Sequence, residues 1–210
     1  MKKRFYFIRH GQTDLNLKGI VQGRGVNSPL NENGVRQSEL FYEAFKDVSF
    51  DKIYISTLLR TYQTVEPFIK DGIPFEELEG LDEISWGIYE GKEQDETILS
   101  GFEQVVTSWK NNELDLAIEN GESPNQLVLR QKQAIEYMLS KEDEDTVLVC
   151  MHGRALRVIL CHLTDVEVCR MDEFPHTNTS LYVVEYDNGQ FSIVDFYNTK
   201  HLEQLADEQN

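Results

Sequence analysis

Three short apolar runs constrain this chain more than any other feature. Residues 4–9, 51–56 (DKIYIS) and 145–151 (DTVLVCM) are each strand-length, and each hands over to a stretch of helical period. Strands that alternate with helices cannot pair as hairpins, so the pattern predicts an α/β layout with a mainly parallel sheet. Asn31 reads as the cap of a helix running to about Lys46, with Val35, Leu40, Phe41, Ala44 and Phe45 on its apolar face. Further helices are predicted over 58–70, 123–140 and 153–163. The end of the chain changes character: LYVVEY and FSIVDFY flank Asn188-Gly189, a hairpin turn, which adds an antiparallel edge. One segment breaks the alternation. Residues 91–122 are acidic and punctuated by glycine, and are expected to form short helices in a lid inserted over the sheet, within one domain spanning 1–210.

In open α/β sheets, ligands sit beyond the carboxyl ends of the strands. Arg9 and His10 close the first run, Ser56 and Arg60 follow the second, and His152 with Gly153 follows the third. Two arginines and two histidines on one side of the sheet describe an anion pocket, most simply for a phosphoryl group. The rest of the chain gives that pocket a hostile setting. Asp and Glu number 37 against 20 Lys and Arg, a net charge of −17. Such a surface repels nucleic acid and anionic lipid, so any anion must be captured by a local cationic cluster. Three cysteines, Cys150, Cys161 and Cys169, lack zinc-ligand spacing. The N-terminal MKKRFYFIRH holds too few apolar residues for a signal core or a membrane span. The expectation is a reduced, cytoplasmic protein that uses no metal and no cofactor.

RHGQTDLN fits the Arg-His-Gly-x-Thr-x-x-Asn signature at Arg9, His10, Gly11, Thr13 and Asn16. The blocks VQGRGVNSPLNENGVRQ (21–37), STLLRTYQT (56–64), LDEISWGIYEG (81–91), NGESPNQL (120–127), MHGRALR (151–157) and NTSL (178–181) follow in order. The chain thus resembles the histidine phosphatase superfamily, the phosphoglycerate-mutase-like enzymes, over most of its length. The resemblance implies a three-layer α/β sandwich and phosphoryl transfer through a phosphohistidine without a metal. It makes His10 the nucleophile, supported by Arg9, Arg60 and His152, and Glu83 the acid that protonates the leaving group. Asn16, Thr13, Gln22, Gly23, Arg24, Gly153 and Arg154 are expected to bind substrate. For attack, His10 must be unprotonated, and the cations around it, His152 included if protonated, would keep it so. To begin as an acid, Glu83 must hold its proton above the reference pKa of about 4.3, helped by Ile84, Trp86 and nearby acidic residues.

The branch is read from the lid. The family's mutases hold a second acidic group with extra arginines and a lysine after the acid loop, but no arginine lies between Arg60 and Arg130 here. Lys92 and Lys110 face eight acidic residues across 91–122. The expectation is therefore a phosphatase acting on a small phosphate monoester, with no nucleic-acid or membrane partner. A phosphoglycerate mutase and a non-catalytic phosphate-binding module are the alternatives. Arg24 and Arg154, if both reach the pocket, would supply the missing second anion contact. Trp86 either walls the site or packs beneath the lid. His162, His176 and His201 are expected to be structural or exposed, with His176 a candidate for the pocket rim, and the C-terminal hairpin offers a strand for a homodimer.

Overall fold

In the computed structural model, which describes residues 2–93, 95–203 and 205, one six-stranded sheet organises the chain. In chain order the elements are β1 (Lys2–Arg9), α1 (Asp14–Leu17), α2 (Glu32–Phe45), β2 (Lys52–Ile55), α3 (Leu59–Lys70), β3 (Phe75–Glu77), α4 (Glu96–Lys110), α5 (Pro124–Leu139), β4 (Thr146–Met151), α6 (Gly153–Leu163), β5 (Leu181–Asp187) and β6 (Gln190–Asn198). The sheet order is β3-β2-β4-β1-β5-β6. The first four strands of that order run parallel, and β5 and β6 add the antiparallel edge.

Burial follows from position in the sheet. β4 lies between β1 and β2, so Val147 through Met151 are all buried and the strand reads as an unbroken apolar run. β6 is the edge, and its residues alternate between exposed and half-buried. Alternate β4 side chains enter two cores. Val147, Val149 and Met151 pack with Phe5 and Phe7 against Leu127, Ile135 and Met138 of α5 and Leu156 and Ile159 of α6. Leu148 and Cys150 pack with Ile53 and Ile55 against Phe41 of α2 and Val65 and Phe68 of α3. Helices thus cover both faces, giving the expected three layers. Each such fully buried side chain stabilises the fold by roughly 1.5–3 kcal/mol.

The predicted caps are present: Asn31 accepts from Gly34 N, and Ser123 with Gln126 closes a capping box on α5. Asn188 and Gly189 take φ of 49° and 91°, the left-handed pair that a two-residue hairpin turn requires. Three expectations are corrected. α2 turns Gly34, Gln37 and Ser38 inward beside Leu40 and Phe41, while Val35 and Ala44 are exposed. The small and polar residues face in because the N-terminal half of α2 abuts the loop after β1, not an apolar layer. Across 91–122 stands a single 15-residue helix, α4, where short helices were expected; Gln94 lies outside the described residues. β3 is an addition to the expected strands.

Candidate active site

β1 and β4 pair in register to their last residues, Arg9 beside Met151. His10 N then donates to Met151 O at 2.9 Å, so the first residue beyond β1 is still held by the end of β4. Gly11 follows because nothing larger fits: a Cβ there would stand 2.6 Å from Gly34 O. Gly11 N donates to Thr64 Oγ1 of α3 at 2.9 Å, and Asn178 Nδ2 donates to His10 O at 2.9 Å. The His10 ring is nearly buried, and its Nδ1 lies 2.7 Å from Gly11 O. A carbonyl only accepts, so Nδ1 carries the proton and the lone pair is on Nε2. Burial, then Arg60 and Arg9, hold the imidazole well below its ordinary pKa, so it is neutral at physiological pH.

His152 stands behind His10, with ring centroids 5.1 Å apart. Arg60 Nε donates to its Nδ1 at 3.2 Å, which leaves the proton on Nε2, 2.8 Å from Ser56 Oγ. Burial, Arg60 and His10 together hold His152 neutral, so its expected contribution as a cation is corrected. Arg60 also donates from Nη1 to Val26 O (2.7 Å) and from Nη2 to Gly23 O (3.5 Å), tying the 21–26 loop to α3. Arg9 is half-buried, and its pKa is lowered to about 10 by desolvation, which leaves it charged at neutral pH. Arg9 Nη1 pairs with His176 Nδ1 at 3.0 Å, and its Nε is buried without a hydrogen-bond partner. A buried guanidinium N–H with no acceptor is costly unless a ligand supplies one.

Glu83 approaches from the other side. Its Oε1 accepts from Ile84 N (2.9 Å) and Ala155 N (2.8 Å), and its Oε2 from Arg154 N (3.0 Å). The apolar setting expected for it is half of what it meets: Ile84 and Trp86 are buried beside it, but the first turn of α6 holds its carboxylate. Its loop is gripped by Arg130 of α5. Arg130 Nη1 donates to the carbonyls of Glu79, Gly80 and Asp82, and Nη2 to that of Glu83. Glu122 answers the guanidinium with both oxygens, at 2.7 and 2.8 Å. Asp82 Oδ1 adds a second tether by accepting from Thr57 N and Oγ1, each at 2.9 Å.

Between these groups opens a cavity of about 250 Å³. Arg9, His10, Asn16, Gln22, Glu83 and Gly153 form its floor, and Ile20, Val21, Trp86, Phe102, Arg154 and His176 are among its wall. Among the described residues, no group of three or more His, Cys, Asp or Glu is arranged to hold a metal ion.

The family model described as the histidine phosphatase superfamily, branch 1, matches residues 5–199. The chain belongs to the histidine phosphatase superfamily. It is 30% identical over 210 residues to a broad-specificity phosphatase of Saccharomyces cerevisiae, covering 95% of this chain and 87% of that one. It is 25% identical over 196 residues to phosphoserine phosphatase 1 of Hydrogenobacter thermophilus, covering 93% and 92%. The solved structure of Bacillus stearothermophilus YhfR superposes with a TM-score of 0.83 at 25% identity, covering 96% of this chain and all of the other.

In this histidine phosphatase the structure brings Arg9, His10, Asn16, Gln22, Glu83, Gly153 and Arg154 to one cavity. Arg60, His152 and Thr13 are fully buried and stand outside its lining, Thr13 capping α1 and accepting from Gln22 Nε2 at 2.8 Å. Gly23 contributes a backbone carbonyl to Arg60 and does not line the cavity. The expectation for Arg24 is corrected. It pairs with Asp82 (3.2 Å) and Glu79 (3.6 Å) and borders a separate hollow, because the acid loop carries the nearest carboxylates. His176, the candidate for the pocket rim, lines the cavity, and a Cβ on Gly153 would come within 2.6 Å of its ring. One residue that supports the site escapes sequence reasoning. Arg130 lies on the helix that follows the NGES block, but its four carbonyl targets belong to a loop 47 to 51 residues away, which no local pattern reveals.

Proposed function

We propose that this histidine phosphatase hydrolyses small phosphate monoesters through a phosphohistidine on His10. One observation carries the reading: Gly11 O fixes the His10 tautomer, so the free Nε2 lone pair belongs to a buried neutral ring on the cavity that also holds Arg9 and Glu83. Nε2 attacks phosphorus and an N–P bond forms as the ester P–O bond breaks. Protonated Glu83 gives its proton to the departing alkoxide. Water then attacks the phosphohistidine, Glu83 takes the proton of that water, and the N–P bond breaks to release inorganic phosphate. Arg9, with its unpartnered Nε, and the Asn16 side chain are the donors for the phosphoryl oxygens. Such preorganised groups typically supply a few kcal/mol each.

Hydrolysis is favoured over mutase chemistry by the 91–122 segment, which we take as a lid within one domain. Lys110 is paired with Asp172 at 3.0 Å, and among the described residues no lysine lines the cavity. The yeast relative, a broad-specificity phosphatase, supports the same reading. With it go a metal-free reaction, a small-molecule partner and a cytoplasmic setting. The test is inorganic phosphate release in EDTA from 4-nitrophenyl phosphate and a panel of small monoesters, with wild type and His10→Ala. Release that disappears in the variant supports the proposal. Phosphoglycerate interconversion faster than phosphate release would make the protein a mutase, and phosphate binding without either reaction would make it a binding module.

A further inference from the structure

The floor of the cavity accounts for one anion, and a second cation stands on the wall. The Arg154 backbone N–H holds Glu83, while its side chain runs across Trp86 and Trp109 with the guanidinium carbon 5.7 Å from each ring centre. Stacking on two indoles holds the guanidinium plane in place without spending its N–H donors. Its charge is poorly answered. Asp172 is the carboxylate paired with it, at 3.4 Å, and Asp172 also faces Arg157 (2.6 Å) and Lys110 (3.0 Å). Three cations share one anion. Burial works against the charge on Asp172, but these cations outweigh it and keep the carboxyl below its ordinary range. The hydrogen bonds of the Arg154 guanidinium both leave from Nη1, to Met171 Sδ and Asp172.

His176 lines the same cavity and carries no charge of its own. Burial, Arg9, Arg157 and Arg154 hold it neutral, with its pKa lowered to about 3. Its Nδ1 accepts from Arg9, so its Nε2–H is a further donor on the cavity wall. The neighbouring wall residues Ile20, Val21 and Phe102 offer no side-chain partner for a polyhydroxylated leaving group.

We propose that Arg154 is a specificity-determining residue that binds a carboxylate on the leaving group, so that the preferred substrate is the phosphate ester of a small hydroxy acid. The proposal rests on the phosphatase reading of the same site. Selectivity then comes from a contact on the leaving group, apart from the groups that handle phosphorus.

A matched pair tests it: 3-phosphoglycerate and glycerol 3-phosphate differ at one end, carboxylate against hydroxymethyl. Wild type should favour the acid in kcat/KM, and Arg154→Met, which keeps the stem on the indoles, should cut that ratio about tenfold or more, mostly through KM. Arg154→Lys should restore part of it. A wild-type ratio near one, or a ratio unchanged in Arg154→Met, overturns the proposal. His10-dependent release from 4-nitrophenyl phosphate in the same assay shows that the phosphatase reading stands in that case. If none of the three esters releases phosphate, that reading fails, and calorimetry still decides the contact. The Kd of 3-phosphoglycerate for His10→Ala protein should weaken about tenfold when Arg154→Met is added, and an equal Kd overturns the assignment.

Discussion

The floor and the wall of the cavity are built by different rules. The floor comes from the ends of two adjacent strands and the loops beside them. His10 on the floor and His152 behind it are each pinned by a backbone or arginine partner, and burial keeps both rings neutral. The wall gathers Ile20, Trp86, Phe102, Arg154 and His176 from five places in the chain, with aromatic contacts such as Trp86 on Phe102 at 4.7 Å holding α4 against the acid loop. On the proposed reading, neutralising burial makes the nucleophile and stacking makes the selective surface, so chemistry and selectivity are separable and substitutions should divide the two regions.

The largest effect falls on the floor. His10→Ala should lower phosphate release by about 10³-fold or more and abolish the acid-quenched phosphoenzyme. A variant that still forms the phosphoenzyme would move the nucleophile elsewhere. Glu83→Gln should cost about 10²–10⁴-fold on alkyl esters but far less on 4-nitrophenyl phosphate, whose leaving group needs little protonation. Equal losses on both would remove Glu83 from proton transfer.

Arg130→Met sharpens the comparison, because Arg130 acts on the floor through Glu83 and does not line the active-site cavity. As a positioning residue it should reproduce the alkyl-over-aryl bias of Glu83→Gln, at roughly 10- to 100-fold in kcat, with KM little changed. Breaking its half-buried pair with Glu122 should also destabilise the fold by about 3 kcal/mol, read from urea midpoints. Destabilisation without the leaving-group bias would leave Arg130 a purely structural residue.

The neutral histidines predict a pH effect. His10, His152, His162, His176 and His201 all have lowered pKa values, about 4 for His162 and His201 and about 3 for His176. Below about pH 6.5 the unfolded chain binds protons that the folded chain refuses, so stability falls as pH drops from 7 toward 4. Urea midpoints should decline from pH 7 to 5.5, before the carboxylates titrate, and a flat or rising midpoint would contradict neutral burial. The smallest effect belongs to the wall. Phe102→Ala should raise KM by roughly 2- to 5-fold with kcat nearly unchanged, as expected for binding shared by ground and transition states.

Local signals in the chain reach far into both regions. The helix predicted over 153–163 is Gly153–Leu163, and β4 is the run 145–151 less its first residue, because caps and apolar period depend only on near neighbours. β3 escapes such signals because Phe75-Glu76-Glu77 is short, acidic and exposed at the sheet edge. The α2 face misleads because Gly34 and Gln37 pack against the loop after β1, with Gln12 N donating to Gln37 Oε1 at 2.8 Å. Arg24 and Arg154 have equal claims on the cavity in the sequence. One is drawn off by Asp82 and the other is laid across two indoles.

The sequence by itself determined the strand–helix alternation, the Arg9-His10-Gly11 turn at the end of β1 and the chemistry of its residue types. These depend on neighbours within a few positions along the chain. Tertiary structure alone decided that His152 is neutral and recessed, that Arg130 holds the acid loop, and that His176 and Arg154 share a wall where Arg154 has only a shared carboxylate as its ion-pair partner. Burial and charge pairing depend on which elements meet, and the contacts that set them join residues tens to more than a hundred positions apart.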